Sequence, residues 1–379
     1  MAEASLSAAA RIWSRRARYA ARQGSRVAWF AAHGELAQAI SRRVSRAHAR
    51  DNGTDRPADD GRPASAPAGP ARERPDLPRI LGQIAELFRR DLANIEAGLY
   101  PMPAGEFGSP LAFADLSRRF LADVPAVARR RATGNAQEVF EATRDAPQGL
   151  PRYYRQNFHF QTDGWLSGES ARIYDFQVEV LFKGATAAMR RQALVPLART
   201  VRARDQRHLA YADIACGTGG LLAPALASFP RLSGIGVDLS APYLAEARSR
   251  LPSRMRRRAG FVCAPAEALP FATGSLDVVS AVYLFHELPP KVRALVALEF
   301  ARVLKPGGQL IFADSLQTGD LPENDGLLGL FPDLFHEPYY RSYLSEDLDA
   351  LLAVGGLRRT RLDTAFLTRI AVYEKTVGA

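Results

Sequence analysis

Between Tyr211 and Leu221 the chain reads Tyr-Ala-Asp-Ile-Ala-Cys-Gly-Thr-Gly-Gly-Leu, an apolar strand running into a glycine-rich turn that opens a helix. Gly217 and Gly219 let the backbone turn tightly and lie close to a ligand, and the unpaired N–H groups of the helix start point at whatever sits there. An acidic strand end, Val237-Asp238, follows 19 residues after Gly219, the length that a strand-helix-strand step needs to bring a carboxylate to a ribose. Together these residues make a nucleoside site. A dinucleotide loop would want a third glycine at position 222, which is Leu, and a triphosphate loop would want Gly-Lys-Ser/Thr where the chain has Gly219-Gly220-Leu221. Two His-Glu pairs, His286-Glu287 and His336-Glu337, are candidates for proton transfer. Neither continues to the second His of a His-Glu-x-x-His zinc helix, so no metal is expected.

The elements that must carry these groups follow from periodicity. From His208 onward strand-like segments (209–214, 234–238, 260–263, 276–282, 308–314, 357–363 and 366–374) alternate with helical ones near 219–228, 240–250, 290–303 and 345–354. This predicts an α/β fold with a doubly wound, seven-stranded, mostly parallel sheet. The connection Asp363 to Ala365 is too short for a crossover, so the last strand must be antiparallel. The fourth strand runs into Tyr283-Leu-Phe-His286-Glu287, and strand carboxyl ends face the ligand crevice in such sheets. His286 is therefore the first candidate base, with Tyr283 beside it.

Ahead of the sheet lies an N-terminal helical region. Arg11, Arg15, Arg18, Arg22 and Arg26 form one stripe of a helix, with Trp13, Ala20 and Val27 opposite. Residues 1–50 read as a basic arm, 51–76 as a flexible Pro/Gly/Ala linker, 77–200 as a helical and aromatic region, and 201–379 as the nucleoside-binding domain. Helices are expected from Ile80 to near Gly98, over 113–131 and from Ser170. The aromatic run over 150–183, including Tyr153, Tyr154 and Trp165, either forms a lid and acceptor pocket or packs helices onto the core.

The motif set Asp213-x-x-x-Gly217-Thr-Gly219, Val237-Asp238, Ala266-Glu267-Ala-Leu-Pro-Phe271, Leu276-Asp-Val-Val279 and Val303-Leu-Lys-Pro-Gly-Gly308 resembles the successive motifs of class I S-adenosylmethionine-dependent methyltransferases over about residues 205–375. The resemblance implies S-adenosyl-L-methionine as cofactor. It assigns Asp213, Gly217 and Gly219 to the amino-acid portion, Asp238 to the ribose, and Ala266 and Glu267 to the adenine, with Ala215 and Leu239 as further cofactor contacts. The family often has Gly at the position of Ala215 and Asp at that of Pro265. It also commonly places acceptor-binding elements in the insertion after the fifth strand, which makes His336 a second candidate base and Tyr339 an acceptor contact. The Leu269-Pro-Phe and Lys305-Pro-Gly-Gly motifs resemble those of quinone- and sterol-type enzymes, which implies a small-molecule or lipid-like acceptor.

Composition narrows the partners. The net charge of +10 is lopsided, with ten Arg against two Glu in residues 1–50 and only +2 left for the remainder. Nucleic acid is thus an unfavoured substrate for the body, and an RNA- or ribosome-associated methyltransferase that uses the arm is an alternative. The arm could equally rest on an anionic membrane through residues 11–26, resemble a transit peptide, or pack on a partner. A membrane-docked, non-catalytic scaffold is the third reading. Two cysteines, Cys216 and Cys263, and the lack of any run of 18 apolar residues predict a cytoplasmic, at most peripheral, protein.

Overall fold

The computed structural model describes residues 2–51, 76–103, 107–143 and 150–377. The linker expected over 51–76 lies, from residue 52 to 75, outside the described residues. Strands β1 (Tyr211–Ile214), β2 (Gly234–Asp238), β3 (Ala259–Cys263), β4 (Leu276–Val282), β5 (Leu304–Ser315), β6 (Leu357–Ala365) and β7 (Thr368–Lys375) form one sheet in the order β3-β2-β1-β4-β5-β7-β6. All neighbours from β3 to β5 are parallel, and β7 runs antiparallel to both β5 and β6. The expected doubly wound, seven-stranded architecture is therefore present. The final hairpin turns slightly later than expected, at Phe366-Leu367, with Phe366 at φ +56°.

Strand period two explains why the sheet carries helices on both faces. Tyr211, Val278, Ile311 and Ala313 point into one apolar cluster, while Ala212, Ile214, Val279, Leu310 and Phe312 point into the other. In chain order the helices are α1 (Ala2–Asp51), α2 (Leu77–Glu96), α3 (Pro110–Thr133), α4 (Gly168–Leu181), α5 (Thr186–Arg191), α6 (Leu194–Ala203), α7 (Leu222–Ser228), α8 (Ala241–Arg250), α9 (Pro290–Val303) and α10 (Leu348–Ala353), with shorter turns between them. Local signals set several boundaries: Ser109 and Ser167 accept the N–H groups of Ala112 and Ser170, and Gly134 ends α3 at φ +67°.

The N-terminal arm is one continuous helix, and it packs on the body. Phe30 of α1 sits in an aromatic cluster with Phe107, Phe113 and Phe176, its ring centroid 5.2 Å from that of Phe176. The arginine stripe is split by this docking. Arg22 donates to the Pro103 carbonyl, and Arg26 pairs with Glu179 at 2.8 Å. Arg11, Arg15 and Arg18 remain exposed, as do Ile12 and Trp13. No helix among the described residues is long and apolar enough to cross a membrane.

A buried ion pair ties the first helices together. Asp91 of α2 is fully buried and receives two bonds from the Arg191 guanidinium, at 3.0 and 2.7 Å. The same carboxylate accepts the hydroxyls of Tyr19 on α1 and Tyr100 beyond α2. Removing one partner of such a pair strands the other charge without water. Asp91→Ala is thus expected to lower the stability of the chain by about 3–5 kcal/mol in urea unfolding, with loss of the α1 contacts detectable as faster amide exchange over Tyr19 to Phe30.

Candidate active site

The crevice lies where strand order and helix placement dictate. Helix α7, which follows β1, packs into one apolar cluster, and α9, which follows β4, packs into the other, so the chain leaves these adjacent strands toward opposite faces. That opens a space at their carboxyl ends. With the open solvent at its mouth included it spans about 1060 Å³, and it is bounded by the glycine turn, the ends of β2 and β4, and the aromatic segment.

On one side are the residues expected to hold the methyl donor. Asp213, Ala215, Gly217, Asp238, Leu239 and Ala266 all line the cavity. Parallel register sets Asp213 opposite Ser280, whose hydroxyl donates to Asp213 Oδ1 at 2.6 Å, leaving Asp213 Oδ2 buried with no partner. Burial pushes the Asp213 carboxyl up to about 7, although the bond from Ser280 works against this. Asp238 accepts Gly217 N–H on one oxygen and Ser240 N–H on the other, each at 2.8 Å. It therefore fixes the glycine turn while keeping a second lone pair on each oxygen for a hydroxyl donor.

The turn itself runs through three residues of positive φ: Ala215 at +55°, Gly217 at +54° and Gly219 at +83°. Alanine is strained there by about 1–3 kcal/mol, so the Gly-to-Ala departure at position 215 leaves the backbone path intact and adds strain to it. Gly219 shapes the turn without lining the cavity. Glu267 does not line it either, since its carboxylate accepts the Tyr153 hydroxyl at 2.8 and 3.0 Å. The end of the cavity expected to take the adenine thus includes a residue from the N-terminal region.

Arg190 is a wall residue that sequence reasoning missed. Its side chain lies so close to Gly220 that a Cβ there would sit 2.8 Å from Arg190 Nη1. Arg190 pairs with Asp175 at 2.7 Å. A cation here and the bare Asp213 oxygen on β1 suit the carboxylate and ammonium of a zwitterionic amino acid. The orphaned oxygen, the positive-φ turn and this charge pairing fit the cofactor that the motifs implied.

The opposite side is aromatic. Of the five expected acceptor contacts, Tyr153, Tyr154, Trp165 and Tyr283 line the cavity, joined by Tyr174 and Tyr243, and Tyr339 does not reach it. Tyr339 instead stands within 3.4 Å of Gln156 Nε2. Some residues of the aromatic run line the cavity and others pack the core. Phe158 and Phe176 are wholly buried, and Phe158 stacks on Trp165 at 4.1 Å, which sets that indole against the cavity. The segment is anchored to the domain by Ser240 Oγ, which donates to the Trp165 carbonyl at 2.5 Å, and by the Ser170–Tyr243 hydroxyl pair at 2.9 Å.

The two expected bases fall outside the lining. His286 is buried with Nδ1 on Asp314 and Nε2 3.4 Å from Glu287 Oε1, so both nitrogens face carboxylates. Burial alone would lower its pKa, but Asp314 and Glu287 outweigh that and raise it well above the ordinary value. A protonated imidazole with both N–H groups engaged is a poor base. His336 bonds Gln156 through Nε2 at 2.6 Å, and burial lowers its pKa. The group that does line the cavity at this point is Glu287. The sequence signal for it was the His286-Glu287 pair itself, of which the wrong member drew attention, because a short 3₁₀ turn over Phe285–Glu287 decides which side chain faces in. Asp314 sets that turn by accepting the N–H groups of Leu284 and Phe285, at 3.1 and 2.7 Å.

Comparison with known proteins agrees with this geometry. Residues 212–308 match a family model described as a methyltransferase domain. The ubiquinone/menaquinone biosynthesis C-methyltransferase of Methylobacterium nodulans is 35% identical over 142 residues, covering 37% of this chain and 54% of that protein. The demethylmenaquinone methyltransferase of Thermus thermophilus is 36% identical over 146 residues, covering 38% and 62%. The chain thus spans between half and two thirds of the length of these curated relatives. Among solved structures, the magnesium protoporphyrin IX methyltransferase of Synechocystis aligns with 18% identity and a TM-score of 0.36 over 49% of this chain and 83% of that one, which is too distant to bear on function. The glycine corner, the strand order and the matched residues converge: residues 212–308 of this chain are similar to a methyltransferase domain, as the class I S-adenosylmethionine-dependent resemblance of the motifs implied.

Proposed function

We propose that the protein transfers a methyl group from S-adenosylmethionine to a small acceptor bearing a flat ring, of the quinone type named in its relatives. The observation that carries this reading is a cleft in which Asp213, the glycine turn and Asp238 on one side meet a wall of tyrosines and a tryptophan on the other. The donor supplies a sulfonium whose methyl leaves with no need for metal or covalent catalysis. The protein's part is alignment and exclusion of water, and positioning of this kind lowers a barrier by about 7–11 kcal/mol. Asp213 and Arg190 would hold the amino-acid portion, Asp238 and Leu239 the ribose, and Ala266 the adenine. Tyr153, bonded to Glu267, closes the adenine end. Tyr154, Trp165 and Tyr283 would flank the acceptor ring.

Calorimetry with S-adenosylhomocysteine and turnover with a demethylmenaquinol analogue test the reading together. Binding with a dissociation constant in the micromolar range is expected, falling at least tenfold in affinity for Asp238→Ala through loss of charged hydrogen bonds; a wild-type protein that binds no S-adenosylhomocysteine sinks it.

Asp213 adds a pH dependence whose sign follows from its burial. With its carboxyl up at about 7, the group is largely protonated, and useless to an ammonium, below that pH. Affinity for S-adenosylhomocysteine should therefore rise as pH rises from 5.5 through 7, by up to about tenfold per unit. Asp213→Asn should bind weakly, with a flat profile.

The contact of residues 11–26 with an anionic membrane is likewise proposed, narrowed to Arg11, Arg15 and Arg18 with the exposed Ile12 and Trp13, since Arg22 and Arg26 are turned onto protein groups. Co-sedimentation with phosphatidylserine vesicles should fall when these three arginines become serine, and should weaken with salt. Equal sedimentation of the two proteins would remove the arm from any such contact.

A further inference from the structure

Three carboxylates line the cavity: Asp213, Asp238 and Glu287. The first two belong to the donor side, and Glu287 does not. It is the middle of a row of alternating groups, Asp314, His286, Glu287, His159 and Glu337, all buried except the partly exposed His159. His159 Nε2 stands 3.1 Å from Glu287 Oε1 and 3.4 Å from Glu337 Oε1, and His286 Nε2 stands 3.4 Å from the same Glu287 oxygen. Both imidazoles thus serve Oε1, while Oε2 is buried with no hydrogen-bond partner.

Two further facts make this arrangement a built one. His159 and the next residue, Phe160, sit at φ +55° and +56°, a strained region for residues other than glycine, and the His159 N–H is held there by the His336 carbonyl at 3.1 Å. The imidazoles also settle the charge of the carboxylate: burial would raise the pKa of Glu287, but His286 and His159 pull it down to about 2. Glu287 therefore stays ionised, and because its charge is already met on the Oε1 side, what Oε2 lacks is a hydrogen and not a second cation.

We infer that Glu287 Oε2 is the docking point for a hydroxyl on the acceptor ring, selecting hydroxylated rings and setting their orientation toward the methyl donor. This rests on the methyltransferase reading above and adds the feature of the acceptor that the cavity recognises. A ring lying along Tyr154, Trp165 and Tyr283 presents its edge to Glu287, and a hydroxyl there donates to a bare anionic oxygen shielded from water. Glu287 acts as a positioning and selecting residue. His159 and His286 orient it by occupying its other oxygen.

The experiment uses the full chain saturated with S-adenosylhomocysteine, titrated calorimetrically with three probes: 2-naphthol, its methyl ether 2-methoxynaphthalene, and 2-naphthylmethylamine, a cation at neutral pH. The naphthol is expected to bind at least about tenfold tighter than the ether, the scale of a hydrogen bond to a charged group. In Glu287→Gln the amide turns its oxygen to the two imidazoles and its NH₂ to the cavity, so the preference for naphthol over ether should vanish. Equal binding of naphthol and ether by the wild-type chain, no binding of either, tighter binding of the amine, or a preference that survives in Glu287→Gln would each overturn the inference. The wild-type comparison decides even if the variant does not fold. Failure of S-adenosylhomocysteine to bind is a separate outcome that overturns the methyltransferase reading itself.

Discussion

One largely enclosed carboxylate is central among the links between the N-terminal region and the sheet. Asp175 on α4 accepts Thr218 Oγ1 from the glycine turn at 2.6 Å, pairs with Arg190 at 2.7 Å, and takes Arg250 from the end of α8. Burial would raise its pKa, yet the two guanidinium groups hold it well below the ordinary range, so it stays charged. It ties the glycine turn to α4 and α5. The N-terminal region supplies Tyr153, Tyr154, Trp165 and Tyr174, the sheet supplies the glycine turn, and Asp175 bridges the two. A charge this deep is retained only while all its partners are in place, which couples closure of the aromatic wall to the shape of the glycine turn.

The same economy recurs at the other buried charges. Asp91 with Arg191, Asp238 with two backbone N–H groups, and Asp314 with a turn of backbone each fix a segment that apolar packing alone would leave free to slide. Arg293 is wholly buried and gathers the Phe285 and Tyr339 carbonyls together with Glu346, which locks the insertion after β5 against the turn that carries Glu287. Hydrophobic burial drives the sheet and its helices together, whereas these directional bonds decide which side chains face the cavity. Among the described side chains that line the cavity, two buried oxygens have no hydrogen-bond partner, Asp213 Oδ2 and Glu287 Oε2.

Much of the fold was legible because the signals are local. Strand period two, helix period 3.6, the glycine turn and a connection too short for a crossover each lie within a few tens of residues, and together they fix the sheet to within its order. The donor side was legible for the same reason: Asp213, Gly217 and Asp238 are carried by consecutive elements of one strand-helix-strand unit. The arginine stripe misled in part, since its period is genuine but a helix face states only that residues align, not what they align against. Arg22 and Arg26 turned out to face Pro103 and Glu179.

The sequence by itself determined the strands, the antiparallel finish and a glycine corner of the nucleoside type, because each follows from backbone geometry and nearest-neighbour periodicity; the methyl donor was implied only by the resemblance of the motif set. The tertiary structure decided the other side of the cavity. Arg190 reaches Gly220, Tyr153 reaches Glu267, and His159 reaches Glu287 across more than a hundred residues in the last two cases. Which member of the His286-Glu287 pair faces the cavity turned on one short 3₁₀ step held by Asp314 from a neighbouring strand. Such meetings depend on packing between distant segments, and no spacing along the chain encodes them.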